Sequence, residues 1–154
     1  MTQIQLVLAQ IEDAALLKAL AVKAFQADFE QYGSFPPHIE STPWHQQSIE
    51  SGHYYIIKHD SQTAGGILLV PKSLTEIEVK YFFIAPAFQN KCIGLDTISL
   101  LEKRYPDVLN WSLVTPYKAF RNHHFYQKLG YKKVGEIQPE PNENFWLFEY
   151  QKTI

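Results

Sequence analysis

The stretch from His53 to Pro86 limits the fold more than any other part of this 154-residue chain. Three strand-like segments follow one another there: His53 to Lys58, Thr63 to Val70 and Thr75 to Ala85. Short turns separate them, His59-Asp60-Ser61-Gln62 and then Pro71-Lys72-Ser73, so the first two must pair as an antiparallel hairpin. In the third, Ile77, Val79, Tyr81 and Phe83 share one face, and Glu76, Glu78 and Lys80 share the other. Beyond Pro86 the period becomes helical, with Ile93, Ile98, Leu100 and Leu101 ahead of Arg104 and Pro106. The chain therefore passes from a long strand through a loop straight into a helix.

On the N-terminal side, Ile4 to Leu8 is a short apolar strand, and Asp13 or a neighbour caps a helix beginning at Ala14. Leu16, Leu17, Leu20, Ala21, Ala24 and Phe25 recur at three- and four-residue steps, which predicts an amphipathic helix with one buried face ending before Gly33. Ser34-Phe35-Pro36-Pro37 breaks it, and a weaker helix spans Ile39 to Ser51. On the C-terminal side, Asn110 to Val114 is a strand and Ala119 to Leu129 a helix closed by Gly130. Tyr131 to Ile137 and Asn144 to Tyr150 complete the sheet. No internal repeat or second domain is visible, so one domain over 1–154 is expected.

Charge and cysteine content narrow the function. With 14 basic and 16 acidic residues, and no block of like charge, the chain has no surface built to grip nucleic acid. A single cysteine, Cys92, excludes an internal disulfide and any sign of adaptation to an oxidising compartment. The first residues, Met1-Thr2-Gln3-Ile4-Gln5, contain no basic segment followed by an apolar run, and no later segment is long and apolar enough to span a bilayer. No membrane association and a cytoplasmic location are the expectations.

A helix that opens from a loop presents unpaired backbone N–H groups and the positive end of its dipole, which favours phosphate. Here the segment is Phe83-Ile84-Ala85-Pro86-Ala87-Phe88-Gln89-Asn90-Lys91-Cys92-Ile93-Gly94, with Lys91 adding a cation. An ordinary strand-to-helix connection has the same local features. Gln89-x-x-Cys92-x-Gly94 resembles the pyrophosphate loop of the GNAT acyltransferase superfamily, written R/Q-x-x-G-x-G/A. That resemblance implies that the backbone at Phe83 and Ile84 meets the pantetheine arm of acetyl-CoA. It also implies that Gln89, Asn90, Lys91, Cys92, Ile93 and Gly94 hold the pyrophosphate. Cys92 stands where the family has glycine, which lets backbone come close to phosphate without a Cβ in the way. Its thiol is a second kind of candidate, a nucleophile, but no histidine lies nearby in sequence to act as its base.

Asn122-His123-His124-Phe125-Tyr126-Gln127-Lys128-Leu129-Gly130-Tyr131 is similar to a second region of the same family, N-x-x-x-x-F/Y-Y-x-K-x-G-F/Y, here with Phe125-Tyr126 arriving a little earlier. Asn122 and Tyr126 are four residues apart and share a helix face. By resemblance Asn122 contacts the cofactor, and Tyr126 is the general acid for the departing CoA thiolate. A core tyrosine with a satisfied hydroxyl is the alternative. Attack by an amine also needs a proton acceptor, because ammonium has no lone pair. Glu78 is the first candidate and Glu76 the second, against the alternative that both are solvent-facing strand residues.

The six histidines show no zinc-like spacing, so no metal is expected. By resemblance His38, Trp44 and His45 line the acceptor pocket. The family implies an α+β fold: a mixed, mostly antiparallel sheet of about seven strands, splayed into a V between two of them, with about four helices. It also implies acetyl transfer to a small amine acceptor. A catalytically inactive CoA-binding protein of the same fold is the alternative. Homodimers are common in the family, and the ends of the last strands, Phe145 to Tyr150, are the expected interface.

Overall fold

The computed structural model describes residues 3–154. Among them, seven strands form one mixed sheet in the order β1-β2-β3-β4-β5-β7-β6. They are β1 (Ile4–Leu8), β2 (Tyr54–His59), β3 (Gln62–Pro71), β4 (Glu76–Ile84), β5 (Asn110–Pro116), β6 (Lys132–Ile137) and β7 (Leu147–Thr153). Five α-helices accompany them: α1 (Ala14–Ala24), α2 (Gln26–Tyr32), α3 (Thr42–Glu50), α4 (Ile93–Arg104) and α5 (Phe120–Lys128). β4 and β5 run parallel, whereas β1/β2, β2/β3, β5/β7 and β6/β7 are antiparallel. The chain forms two compact units, one from residues 3–69 and 81–101, the other from 70–80 and 102–154.

In the first unit, the β2/β3 turn places Asp60 and Ser61 at φ 49° and 72°, the left-handed pair that a two-residue hairpin demands. The core joins Leu17 and Ala21 of α1 to Ile49 of α3, Tyr54 and Ile56 of β2, Leu68 of β3 and Phe83 of β4. The single helix expected from Ala14 to Gly33 is broken at Phe25 (φ −94°, ψ 11°). There the Phe25 ring packs 6.2 Å from Tyr81 and 5.9 Å from Phe83, measured between centroids. The buried stripe of α1 is narrower than its periodicity suggested, since Leu16 is exposed. Asp13 caps the preceding 3₁₀ turn instead of α1: its carboxylate accepts from the Gln10 N–H at 2.7 Å. Ser41 Oγ accepts from the Trp44 N–H at 3.2 Å and starts α3 later than expected.

In the second unit, Ile77 and Val79 of β4, Trp111 and Leu113 of β5, Tyr150 of β7 and Tyr126 of α5 are buried. Gly130, at φ 98°, ends the α5 segment as the sequence suggested. The last strand is shifted toward the C-terminus, and Leu147–Tyr150 is bonded to β5 on one side and β6 on the other. The segment Phe145 to Tyr150 thus leads into a strand paired on both sides, and β6 is the edge strand of this unit.

Candidate functional site

Two glycines of the first unit decide where β4 lies. A Cβ on Gly65 would collide with the Phe83 carbonyl oxygen, and one on Gly66 would stand 2.6 Å from the Phe83 ring. Glycine inside a strand marks such a close approach. The Ala85 N–H donates to the Ala64 carbonyl at 2.7 Å and holds the end of the strand. Phe83 is 3% exposed, so its side chain belongs to the core and only its backbone can serve a ligand.

After a 3₁₀ turn at Pro86–Phe88, the chain reaches Asn90 at φ 63° and Cys92 at φ 62°, then enters α4. Left-handed residues alternating with ordinary ones turn successive N–H groups into an anion-binding concavity. The Asp96 N–H donates to the Cys92 carbonyl at 3.1 Å as the helix begins, so the amides of Ile93, Gly94 and Leu95 precede that bond. Lys91 is exposed, with Nζ 5.9 Å from the Phe88 ring centroid. These groups fit a pyrophosphate. The Gln89 side chain braces the loop from within, donating from Nε2 to the Ile84 carbonyl at 3.0 Å. Cys92 adopts the conformation that glycine would adopt here, at a cost of about 1–2 kcal/mol for a residue with a Cβ.

In the second unit, β4 pairs with β5 at Glu76/Asn110, Ile77/Trp111 and Glu78/Ser112 and no further, although β5 continues to Pro116. Glu78 is thus the last paired residue. Its side chain is 21% exposed, and Oε1 lies 3.4 Å from Lys72 Nζ. A small open hollow of about 50 Å³ begins here, lined by Glu78, Ser112, Val114, Glu149 and Gln151 among others.

The start of α5 is tied to the end of β5. Asn122 Nδ2 donates to Thr115 Oγ1 at 3.3 Å, and His123 Nε2–H donates to the Pro116 carbonyl at 2.9 Å. The His123 ring stacks on Phe148 and Tyr150, with centroids 5.1 and 5.8 Å away. One turn later, Tyr126 is 8% exposed and packs edge-on against Tyr131 at 5.5 Å. Its hydroxyl has no hydrogen-bond partner among the described residues, nor is its oxygen among the polar atoms sealed from solvent without one. Burial pushes its pKa up, so the phenol keeps its proton at neutral pH.

The three residues assigned to a pocket wall separate into two roles. His45 is fully buried: Nε2–H donates to the Ile39 carbonyl and Nδ1 accepts from the Tyr54 hydroxyl, both at 2.9 Å. Desolvation lowers its pKa and keeps it neutral, so it is a strut of the core. His38, at φ 72° and exposed, stacks on Trp44 with centroids 6.0 Å apart. Trp44 in turn meets Tyr81 edge-on at 5.6 Å. Among the described residues, no three His, Cys, Asp or Glu side chains are grouped as metal ligands would be.

The sequence model of the acetyltransferase (GNAT) domain matches residues 50–133, more than half of the chain. The chain belongs to the GNAT acetyltransferase family. The matched segment contains Glu78, the loop from Phe83 to Gly94, Asn122 and Tyr126. Its GNAT fold recurs in the PaiA N-acetyltransferase of Thermoplasma acidophilum in complex with coenzyme A. That chain is 20% identical, with 99% of both chains covered and a TM-score of 0.79. It recurs also in an acetyltransferase of Thermus thermophilus, 15% identical, with 99% and 97% covered and a TM-score of 0.79. A GNAT acetyltransferase of Elizabethkingia anophelis with acetyl-CoA bound is 20% identical over 99% and 98%, with a TM-score of 0.67. A relative from Bacillus subtilis, the uncharacterised protein YrkN, is 29% identical over 92 residues, 59% of this chain and 49% of its own length. The GNAT chain thus spans about half the length of that relative.

Sequence reasoning passed over Gly65, Gly66 and Thr115, and gave His123 no role. Adjacent glycines inside a strand were the available signal for the first two. Thr115 and His123 act through contacts between segments that no local pattern announces.

Proposed function

We propose that this protein transfers an acetyl group from acetyl-CoA to a small amine by direct attack. Acetyl-CoA supplies an acyl carbon joined to a thiol leaving group. The amides from Asn90 to Gly94 and the Lys91 ammonium bind its pyrophosphate, and the backbone at Phe83 and Ile84 meets its pantetheine arm. Backbone N–H of the splayed strand polarises the thioester carbonyl. Asn122 adds a contact to the cofactor. Glu78, directly or through water, takes a proton from the ammonium form of the acceptor, which frees the nitrogen lone pair to form the C–N bond. As the C–S bond breaks, the nitrogen, which attack has left with one proton too many for an amide, releases that proton to solvent, and Tyr126 gives its phenolic proton to the thiolate and regains one from solvent. His38 and Trp44 belong to the wall against which the acceptor rests. A single domain over 1–154 and a cytoplasmic location complete the proposal. No helix among the described residues is long and apolar enough to cross a membrane.

One observation carries the role of Tyr126: a nearly buried phenol whose hydroxyl no described residue engages. The ring is held by packing while the hydroxyl oxygen is not sealed from solvent, which leaves it open to a ligand. The test is acetyl-CoA binding followed by CoA release with a panel of amines. Binding with turnover supports transfer. Binding with no turnover for any amine favours an inactive CoA-binding protein, in which case the left-handed Cys92 is the first departure to examine.

A further inference from the structure

The open face of the second unit carries a carboxylate, Glu149, for which the described residues supply no ion pair. Glu78 of β4, Ser112 of β5 and Gln151 of β7 are successive partners across the sheet, and Glu149 lies two residues from Gln151 on the same face. All four line the hollow that begins at Glu78. The Glu78 carboxylate has Lys72 beside it at 3.4 Å. Glu149 has neither an ion pair nor a side-chain hydrogen bond among the described residues.

Glu149 is also given room. Its register partner on β6 is Gly135, and a Cβ there would stand 2.7 Å from Glu149 Oε1. A side chain at 135 would displace the carboxylate from the place it now occupies. Strand spacing and rise put the Cα atoms of Glu78 and Glu149 about 12 Å apart, two strands across and two residues along. That is a span for an elongated molecule, with the serine and amide side chains between its ends.

We propose that Glu149 is a specificity-determining residue of the acceptor site, and that the preferred acceptor is a primary amine carrying a second cationic group. The inference rests on the acetyl-transfer reading above. One amine loses its proton at Glu78 and attacks, while the distal cation stays protonated and pairs with Glu149. A half-buried carboxylate without a partner gives its attraction to the cation without first giving up another ion pair. A monoamine of the same length leaves that charge unmet, so the discrimination falls on acceptor binding.

The experiment compares kcat and KM for 1-aminohexane, 6-amino-1-hexanol and α,ω-diaminoalkanes of four to eight carbons, using the full chain with saturating acetyl-CoA. The native protein is expected to favour the best diamine over the monoamine roughly tenfold in kcat/KM, mainly through KM, as one ion pair of that strength implies. In Glu149→Gln the ratio between diamine and monoamine, measured within the same protein preparation, falls to about twofold or less. Gly135→Ala, which crowds the carboxylate without removing it, reduces the ratio by an intermediate factor. Monoamine and diamine turnover at equal efficiency in the native protein, or an unchanged ratio in Glu149→Gln, overturns this inference alone. Absence of turnover with every amine, while acetyl-CoA still binds, overturns the acetyl-transfer reading together with it.

Discussion

Gly65 of β3 lies directly beneath the Phe83 carbonyl of β4, with no space for a Cβ between them. The nearest atoms are backbone on both sides, so rotation of a side chain cannot relieve a larger residue. Gly65→Ala is therefore expected to cost about 2–3 kcal/mol of stability. Urea unfolding measures it, and a loss below about 0.5 kcal/mol would show that β4 yields easily at this point.

Cys92 occupies a left-handed conformation that glycine reaches without strain. Cys92→Gly should add about 1 kcal/mol to stability, and Cys92→Val, with a branched Cβ, should remove at least as much. If the loop holds pyrophosphate through its backbone, the glycine variant also binds CoA several-fold more tightly by calorimetry. Equal stability of the glycine and valine variants would contradict the strain assigned to this residue.

His45 ties Ile39 to Tyr54 while neutral, and burial holds its pKa below the ordinary value of 6.5. The unfolded chain takes up the proton first as pH falls, so this contribution to stability is complete above about pH 6.5 and is lost below it. Thermal unfolding followed from pH 7.5 to 5 should show the decline, and His45→Gln should flatten part of it. A native protein whose stability is constant over that range would rule out the neutral buried histidine.

The tyrosines reverse the direction. Burial raises Tyr81 to about 12 and also raises Tyr54, Tyr126 and Tyr131. Their contribution is present below the unfolded value of about 10 and is lost as pH rises through the folded values. Stability should thus fall steeply above pH 10, with Tyr81→Phe reducing the slope. A titration of tyrosine absorbance in which all nine tyrosines ionise near pH 10 would contradict this burial.

The sequence revealed those parts of the fold that local periodicity controls. The hairpin from Tyr54 to Pro71, the long β4 and the start of α4 were all legible, because alternation and a helical repeat are properties of neighbouring residues. The break at Phe25 was not, since the helical pattern runs on to Tyr32 and only contact with Tyr81 and Phe83 favours an inward ring. Nor was the placement of β7 between β5 and β6, which depends on pairing between distant segments. For the candidate site, the motifs singled out the loop and Tyr126. They could not show that the Gln89 side chain is occupied within its own loop, that His45 is a strut, or that Glu149 stands unpaired over Gly135.

The central claim is that Tyr126 protonates the departing thiolate during acetyl transfer to an amine. CoA release, followed with a thiol reagent at saturating acetyl-CoA and a turned-over amine, tests it by comparing the native chain with Tyr126→Phe. The ring and its packing on Tyr131 are kept while the proton is removed. The expected result is a fall in kcat of about 10²-fold or more, with the dissociation constant for acetyl-CoA unchanged. Turnover by Tyr126→Phe at the native rate would contradict the assignment.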